Sequence, residues 1–279
     1  MDYYEIRSDK MRIAVCGAAG RMGKRIVALG HEHPEIEITG ALEFPGHPAQ
    51  GKDAGEISGI GSIAVAITSK VNEVLKNADV LIDFSAPAAS VENVEAAAAA
   101  AKAIVVGTTG FSEAQKIEIT VKGAKTRCLV APNMSMGVNL LFNLASAAAR
   151  ALGNDYDVEI VEAHHKMKKD APSGTAQRLA EVIAEALGRD LRTAGIYGRH
   201  GVVGERSSGE IGVMAVRGGD IVGEHTVMFV TEGERVELIH RAHSRDAFAN
   251  GAIKAALWLI SQPNGIYDMQ DVLGLKETK

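Results

Sequence analysis

The chain has 279 residues, enough for two domains at about 150 residues each, and its 46% hydrophobic and 23% charged content is that of a packed globule. A formal net charge of −5 excludes the broad basic surface that nucleic acid or an anionic membrane demands, so local basic clusters point to small anions. The polar opening from Met1 to Lys10 has no apolar core, and no apolar run reaches membrane-spanning length, so a cytoplasmic protein is expected.

Met11 to Cys16 reads as a short apolar strand running into Gly17-Ala18-Ala19-Gly20-Arg21-Met22-Gly23, with helix-forming residues to about His33. A second strand, Ile36 to Leu42, ends at Glu43. Strand, glycine turn, helix, strand and acid, in that order, form the context of a dinucleotide-binding unit, although the glycines are spaced G-x-x-G-x-x-G. Glu43 stands about twenty residues beyond Gly23, where an acid bonds the adenine ribose hydroxyls. The alternation continues with strands at Val80 to Asp83, Ile104 to Gly107 and Arg127 to Ala131, and helices across Ala88 to Ala101 and Glu113 to Ala124. Such a run predicts a parallel sheet covered on both faces, with ligands beyond the carboxyl ends of its strands. Cys16 and Cys128 lie in apolar strands without a C-x-x-C neighbour and read as buried free thiols.

After Asn133 the pattern changes. A helix covers Val138 to Leu152, and Tyr156 to Val161 alternates as a half-buried strand. A helix follows over Thr175 to Leu187, with strands at Gly212 to Val216, His225 to Val230 and Arg235 to His240. This predicts an α+β domain with a mixed, largely open sheet and helices on one face. A last helix, Ala247 to Ile260, carries Trp258 as a core residue and returns to the first domain. The expected division is residues 1–134 with 246–279 as the dinucleotide-binding domain, and 135–245 for substrate binding and assembly.

Between the half-buried strand and its helix stands Glu162-Ala163-His164-His165-Lys166-Met167-Lys168-Lys169-Asp170-Ala171-Pro172-Ser173-Gly174-Thr175. Ser173 reads as the helix cap. The backbone N–H groups of Gly174 and Thr175 then have no carbonyl inside the helix, and they lie at the positive end of its dipole. With lysines nearby this is an anion pocket for a small carboxylic acid, and the histidines beside it can move protons near neutral pH. A metal site is disfavoured, because neighbouring strand histidines point to opposite faces.

Taken together, the glycine turn, Ile82-Asp83-Phe84-Ser85, Gly107-Thr108-Thr109-Gly110-Phe111, Asn133 with Ser135 to Asn139, the run from Glu162 to Ala176, Gly218 to His225, and Phe248 to Ala252 resemble the 4-hydroxy-tetrahydrodipicolinate (dihydrodipicolinate) reductase family of diaminopimelate and lysine biosynthesis. The resemblance implies a Rossmann-like domain and a homotetramer built on the second domain's sheet. It also implies reduction of 4-hydroxy-tetrahydrodipicolinate, or of its dehydrated form, with NADH or NADPH. Carried over by position, His164 and Lys168 are catalytic, and His165, Ser173, Gly174 and Thr175 hold the dicarboxylate substrate. Gly17, Ala18, Ala19, Gly20, Arg21, Met22, Glu43, Gly107, Thr108, Thr109, Ala131, Pro132, Asn133 and Met134 line the cofactor. Phe44 and Ala86 stand where many or some relatives carry an arginine suited to a 2′-phosphate. The competing expectation is a related two-domain dehydrogenase of another small acid, which would lack the Lys168 to Thr175 loop.

Overall fold

The computed structural model describes residues 10–276 and divides into two compact units, one holding the chain up to Ser135 and again from Asp246, the other Met136–Arg245. In the first unit the elements are β1 (Met11–Cys16), α1 (Arg21–Glu32), β2 (Ile36–Leu42), α2 (Ala54–Ser58), β3 (Ile67–Thr68), α3 (Val71–Val74), β4 (Val80–Asp83), α4 (Pro87–Ala99), β5 (Ala103–Val106), α5 (Glu113–Gly123) and β6 (Arg127–Val130). The second unit comprises α6 (Met136–Leu152), β7 (Asp157–His164), α7 (Gly174–Ala186), α8 (Leu191–Ala194), β8 (Gly195–Tyr197), β9 (Ile211–Arg217), β10 (Gly223–Thr231) and β11 (Glu234–Ala242). The chain then re-enters the first unit as α9 (Asp246–Leu259), β12 (Gly265–Tyr267) and α10 (Met269–Val272).

The first sheet is parallel throughout, in the order β12-β6-β5-β4-β1-β2-β3. Every residue of β4 and β5 is buried, as strands covered on both faces require. The order reverses at β1, so the crevice beyond its carboxyl end is the expected place for a nucleotide. Two differences from the sequence reading concern the end of one helix and a strand it does not predict. Helix α4 stops at Ala99, and Ala101 takes a left-handed φ of 53°, because the chain must turn back at once into β5. The short strand β12 extends the sheet beyond β6 although its three residues are too few to show a period.

Helix α9 buries Ala249, Gly251, Ala252, Ile253, Ala255, Ala256 and Leu259 in this unit, and its first-turn Asp246 takes a two-pronged ion pair from Arg25 at 2.6 and 2.9 Å. Trp258 is not core: it is half-buried, edge-on to Tyr267 at 5.3 Å between ring centres. Most of the apolar stripe of α9 is Ala and Gly, and Trp258 falls beside that stripe rather than within it.

The second sheet is mixed, ordered β11-β10-β7-β9-β8, with β7 central. Val158, Ile160, Val213, Val227 and Phe229 face a core shared with α6 and α7. The opposite face carries Val161, Met214, Val216, Met228 and Ile239, brought together by the pairing of β7, β9, β10 and β11. Among the described residues no helix is long and apolar enough to cross a membrane.

The close seat of α9 yields a test. A Cβ at Gly251 would lie 1.8 Å from the Met134 carbonyl oxygen, a backbone atom that cannot step aside. Gly251→Ala is expected to cost about 1–3 kcal/mol, the usual range for overpacking, read as a lower denaturation midpoint with an unchanged slope.

Candidate active site

The turn after β1 is shaped by close approach. Gly17 takes φ 73°, and a Cβ at Gly23 would meet the Gly17 carbonyl oxygen at 2.1 Å, so only glycine lets α1 start against this turn. Gly20 caps α1 without a side-chain hydrogen bond, which leaves the first-turn amides of Arg21 and Met22 to be met from outside the helix. Glu43, just past β2, accepts the Ala19 N–H through Oε1 at 2.9 Å. One carboxylate oxygen is thus spent on orienting the acid. The other can take a ribose hydroxyl.

Gly17, Ala19, Gly20 and Glu43 line a cleft of about 500 Å³ with Phe44, Pro45, His47, Phe84, Ser85 and Ala86 among its other walls. The lining includes two carboxylates, Glu43 and Glu92, and neither Lys nor Arg. Ala18, Arg21 and Met22 belong to the same turn but lie outside this cleft. Gly107, Thr108 and Thr109 after β5, and Ala131, Pro132, Asn133 and Met134 after β6, likewise lie outside it, at the carboxyl edge of the same sheet. Gly107 lies against the Phe84 ring, where a Cβ would come within 2.3 Å. The Thr108 Oγ1 is buried with no partner among the described residues. His47, whose ring meets Phe44 edge-on at 4.9 Å, was not singled out by the sequence, since a lone histidine in a loop carries no motif. The cradle fits a dinucleotide, which when bound supplies a hydride.

In the second unit, the sequence pattern predicts a strand ending at Val161 with the whole cluster in a loop. The structure instead carries β7 on to His164, because β9 and β10 pair with it on both sides as far as His164 and Ala163. Glu162 and His164 therefore share one strand face. Glu162 is fully buried, and its carboxylate accepts from His164 Nδ1 at 2.7 Å, the Ser173 N–H at 3.0 Å, and Arg217 Nη1 and Nη2 at 2.7 and 2.8 Å. Burial opposes its ionisation, but the bonds from Arg217, His164 and Ser173 outweigh that and hold the carboxyl below the usual range. Arg217 also donates to the Asp170 carbonyl at 2.7 Å, and the Asp170 carboxylate grips Lys168 Nζ at 2.8 and 2.9 Å.

Ser173 caps α7, its Oγ accepting the Ala176 N–H at 3.1 Å, and the same oxygen lies 3.1 Å from His225 Nε2. His225 is 3% exposed and meets the His164 ring edge-on at 5.3 Å. Gly174 and Thr175 open α7 beside this cap, with His165 half-buried at the start of the loop. Lys166 and Lys169 are exposed. Sequence reasoning alone assigns no role to Glu162, Arg217, Asp170 or His225. Glu162 carried a signal, an acid at an inward position of an alternating strand, whereas Arg217 and His225 lie far along the chain and meet it only through strand register.

A nucleotide cradle on a doubly wound sheet, and an anion turn with proton-transferring groups on a mixed sheet, are the working parts of a dinucleotide-dependent oxidoreductase of small acids. Known proteins agree with that class. Family models described as dihydrodipicolinate reductase, N-terminus and C-terminus, match residues 11–134 and 137–273. A 4-hydroxy-tetrahydrodipicolinate reductase of Citrifermentans bemidjiense is 53% identical over 266 residues, covering 95% of this chain and 100% of the relative. One from Geobacter sulfurreducens is 52% identical over 95% of this chain and 99% of its own. The dipicolinate-bound dihydrodipicolinate reductase of Paenisporosarcina sp. TG-14 superposes with a TM-score of 0.74 at 25% identity, over 94% of this chain and 98% of that one. The chain belongs to the dihydrodipicolinate reductase family. A dehydrogenase of another small acid is accordingly not favoured.

The histidines set an acid limit on this unit. Burial pushes His225 from the usual 6.5 down to about 3, and burial also lowers His164 against the pull of Glu162. A histidine kept neutral in the fold but able to charge in the unfolded chain contributes stability that is complete above about pH 6.5 and lost as pH falls toward the folded value. Glu162, held low, adds a loss that begins only below about 4.5. The melting temperature is expected to drop between pH 6.5 and 4.5, each histidine contributing at most about 1.4 kcal/mol per pH unit. His225→Gln should flatten that slope in a thermal-unfolding series; an unchanged slope would assign the acid lability elsewhere.

Proposed function

We propose that the chain catalyses NAD(P)H-dependent reduction of 4-hydroxy-tetrahydrodipicolinate, or of the dihydrodipicolinate formed by its dehydration, in the cytoplasm. The observation that carries this reading is the joining of His164, Lys168 and the Ser173-capped start of α7 through one hydrogen-bonded network, in a chain of this family. Gly174 and Thr175 at the helix start, with His165, bind the substrate carboxylates. Hydride arriving at a ring carbon conjugated to an imine leaves negative charge. The Lys168 ammonium stabilises it and gives up a proton, with His164 as the neighbouring acid/base group.

If Lys168 and His164 serve one transition state, Lys168→Ala and His164→Ala should each lower kcat by roughly 10²- to 10⁴-fold with cofactor affinity nearly intact. The double variant should then be little worse than either, whereas independent roles make the losses multiply. His165→Ala should act more on KM than on kcat. Pyridine-2,6-dicarboxylate should compete with substrate and not with the nucleotide.

The cofactor reading follows from the cleft. Glu43 favours free ribose hydroxyls, Phe44 is 62% exposed and uncharged, and the lining offers a 2′-phosphate no Lys or Arg. NADH is therefore expected to be used at least as well as NADPH. The check is kcat/KM for both at one ionic strength, and a preference for NADPH above tenfold would refute it. Assembly as a homotetramer on the uncovered face of the mixed sheet is part of the same reading, tested by light scattering.

A further inference from the structure

We propose that Glu162 is the positioning residue of this site: its carboxylate fixes the proton of His164 on Nδ1, leaving Nε2 as the atom that exchanges protons. The inference rests on the acid/base reading of His164 and names the group that sets it up.

An ionised carboxylate only accepts hydrogen bonds, so the His164 Nδ1 lying 2.7 Å from Glu162 Oε2 must be the donor. In the neutral ring Nε2 then bears the lone pair. Glu162 stays ionised because three further N–H groups meet it, two of them from the Arg217 guanidinium. The strand opposite leaves Nε2 room: a Cβ at Gly223 would stand 3.0 Å from it, so any larger residue there would press on the reacting nitrogen. The same carboxylate reaches the first residue of the anion turn through the Ser173 N–H, and reaches Lys168 by way of Arg217 and Asp170. One buried acid thus aligns the imidazole, the helix start and the lysine.

The charged and titratable groups facing His164 are Glu162 on its own strand, Arg217 on β9, His225 on β10, and Lys168 and Asp170 on the loop. Glu162 favours the imidazolium, while Lys168 and Arg217 oppose it. Replacing Glu162 by a neutral amide should therefore move the His164 titration down. It should also invert the tautomer, because a glutamine N–H aimed at Nδ1 makes that atom the acceptor.

The test uses the full-length protein labelled with ¹⁵N-histidine, with the His164 ring signals assigned by their loss in His164→Asn. Two-bond ¹H–¹⁵N spectra above the ring's titration should show the Nδ1–H form in the wild type and the Nε2–H form in Glu162→Gln. With the tautomer inverted, kcat should fall roughly 10²- to 10⁴-fold, as for an acid that orients a catalytic imidazole. Nucleotide affinity should stay within about twofold, and the pH-profile limb of the imidazolium should shift to lower pH. Glu162→Asp, which keeps the charge, should retain the Nδ1–H form and recover part of kcat, and it serves as the variant if Glu162→Gln does not fold. An Nε2–H form in the wild type overturns the proposal, as does a folded Glu162→Gln with tautomer and pH limb unchanged, which would make Glu162 a structural partner of Arg217 alone. If the tautomer inverts while kcat holds, the assignment of Glu162 stands and it is the acid/base reading of His164 that fails.

Discussion

A carboxylate withdrawn completely from water has to be met by donors on every side, or the fold loses several kcal/mol. Glu162 is such a group, and satisfying it dictates how the second unit is assembled. It must sit where β7 and β9 run parallel, so that Arg217 arrives with both terminal guanidinium nitrogens. It must also lie beneath the start of α7, so that the Ser173 N–H turns inward. Removing Arg217 would leave the charge buried and unpaired, and losing the Ser173 N–H would leave one of its oxygens short of a donor. The loop from His165 to Pro172 is held at its two ends by this one side chain, at His164 and at Ser173, and at Asp170 through Arg217.

The nucleotide unit obeys a different constraint, that of backbone approaching backbone. Gly17, Gly23 and Gly107 stand where a methyl group would strike a carbonyl oxygen or an aromatic ring. The result is a turn whose surface is made of amides, with one carboxylate oriented by one of them. Charge selectivity in the cleft is therefore left to the few side chains that project into it, Glu43 and Glu92 on one hand and His47 on the other.

Much of this was legible in the sequence because it is local. Buried parallel strands print continuous apolar runs, as at Val80–Asp83. Half-buried strands print alternation, as at Asp157–Ile160, and the serine before Gly174 announces a helix start. The end of β7 was misplaced because Glu162 breaks the apolar alternation. A buried acid looks like a solvent-facing one until its partners are known. The partner that carries the opposite charge, Arg217, lies 55 residues away, and its meeting with Glu162 is a matter of strand order and register, which no short window contains. Trp258 departs for the converse reason: its size and apolarity predict an inward position, yet it falls beside the buried face of α9, edge-on to Tyr267.

If Lys168 serves the reaction as proposed, its pairing with Asp170 would also bear on ligand exchange. In the free chain the ammonium already holds a carboxylate in two-pronged contact, with 19% of the lysine side chain and 61% of the aspartate side chain exposed. A dianion drawn to this lysine would not strip a bare cation of its water; it would take the place of a carboxylate, and the displaced Asp170 would go out into solvent that already reaches it. Occupancy would then be set by a difference between two interactions of the same sign, which would keep affinity moderate while the charge stays in place. Departure of the product would run the same exchange backwards, with a tethered competitor at high local concentration, so the residue that reserves the lysine before turnover would also hasten its clearing afterwards.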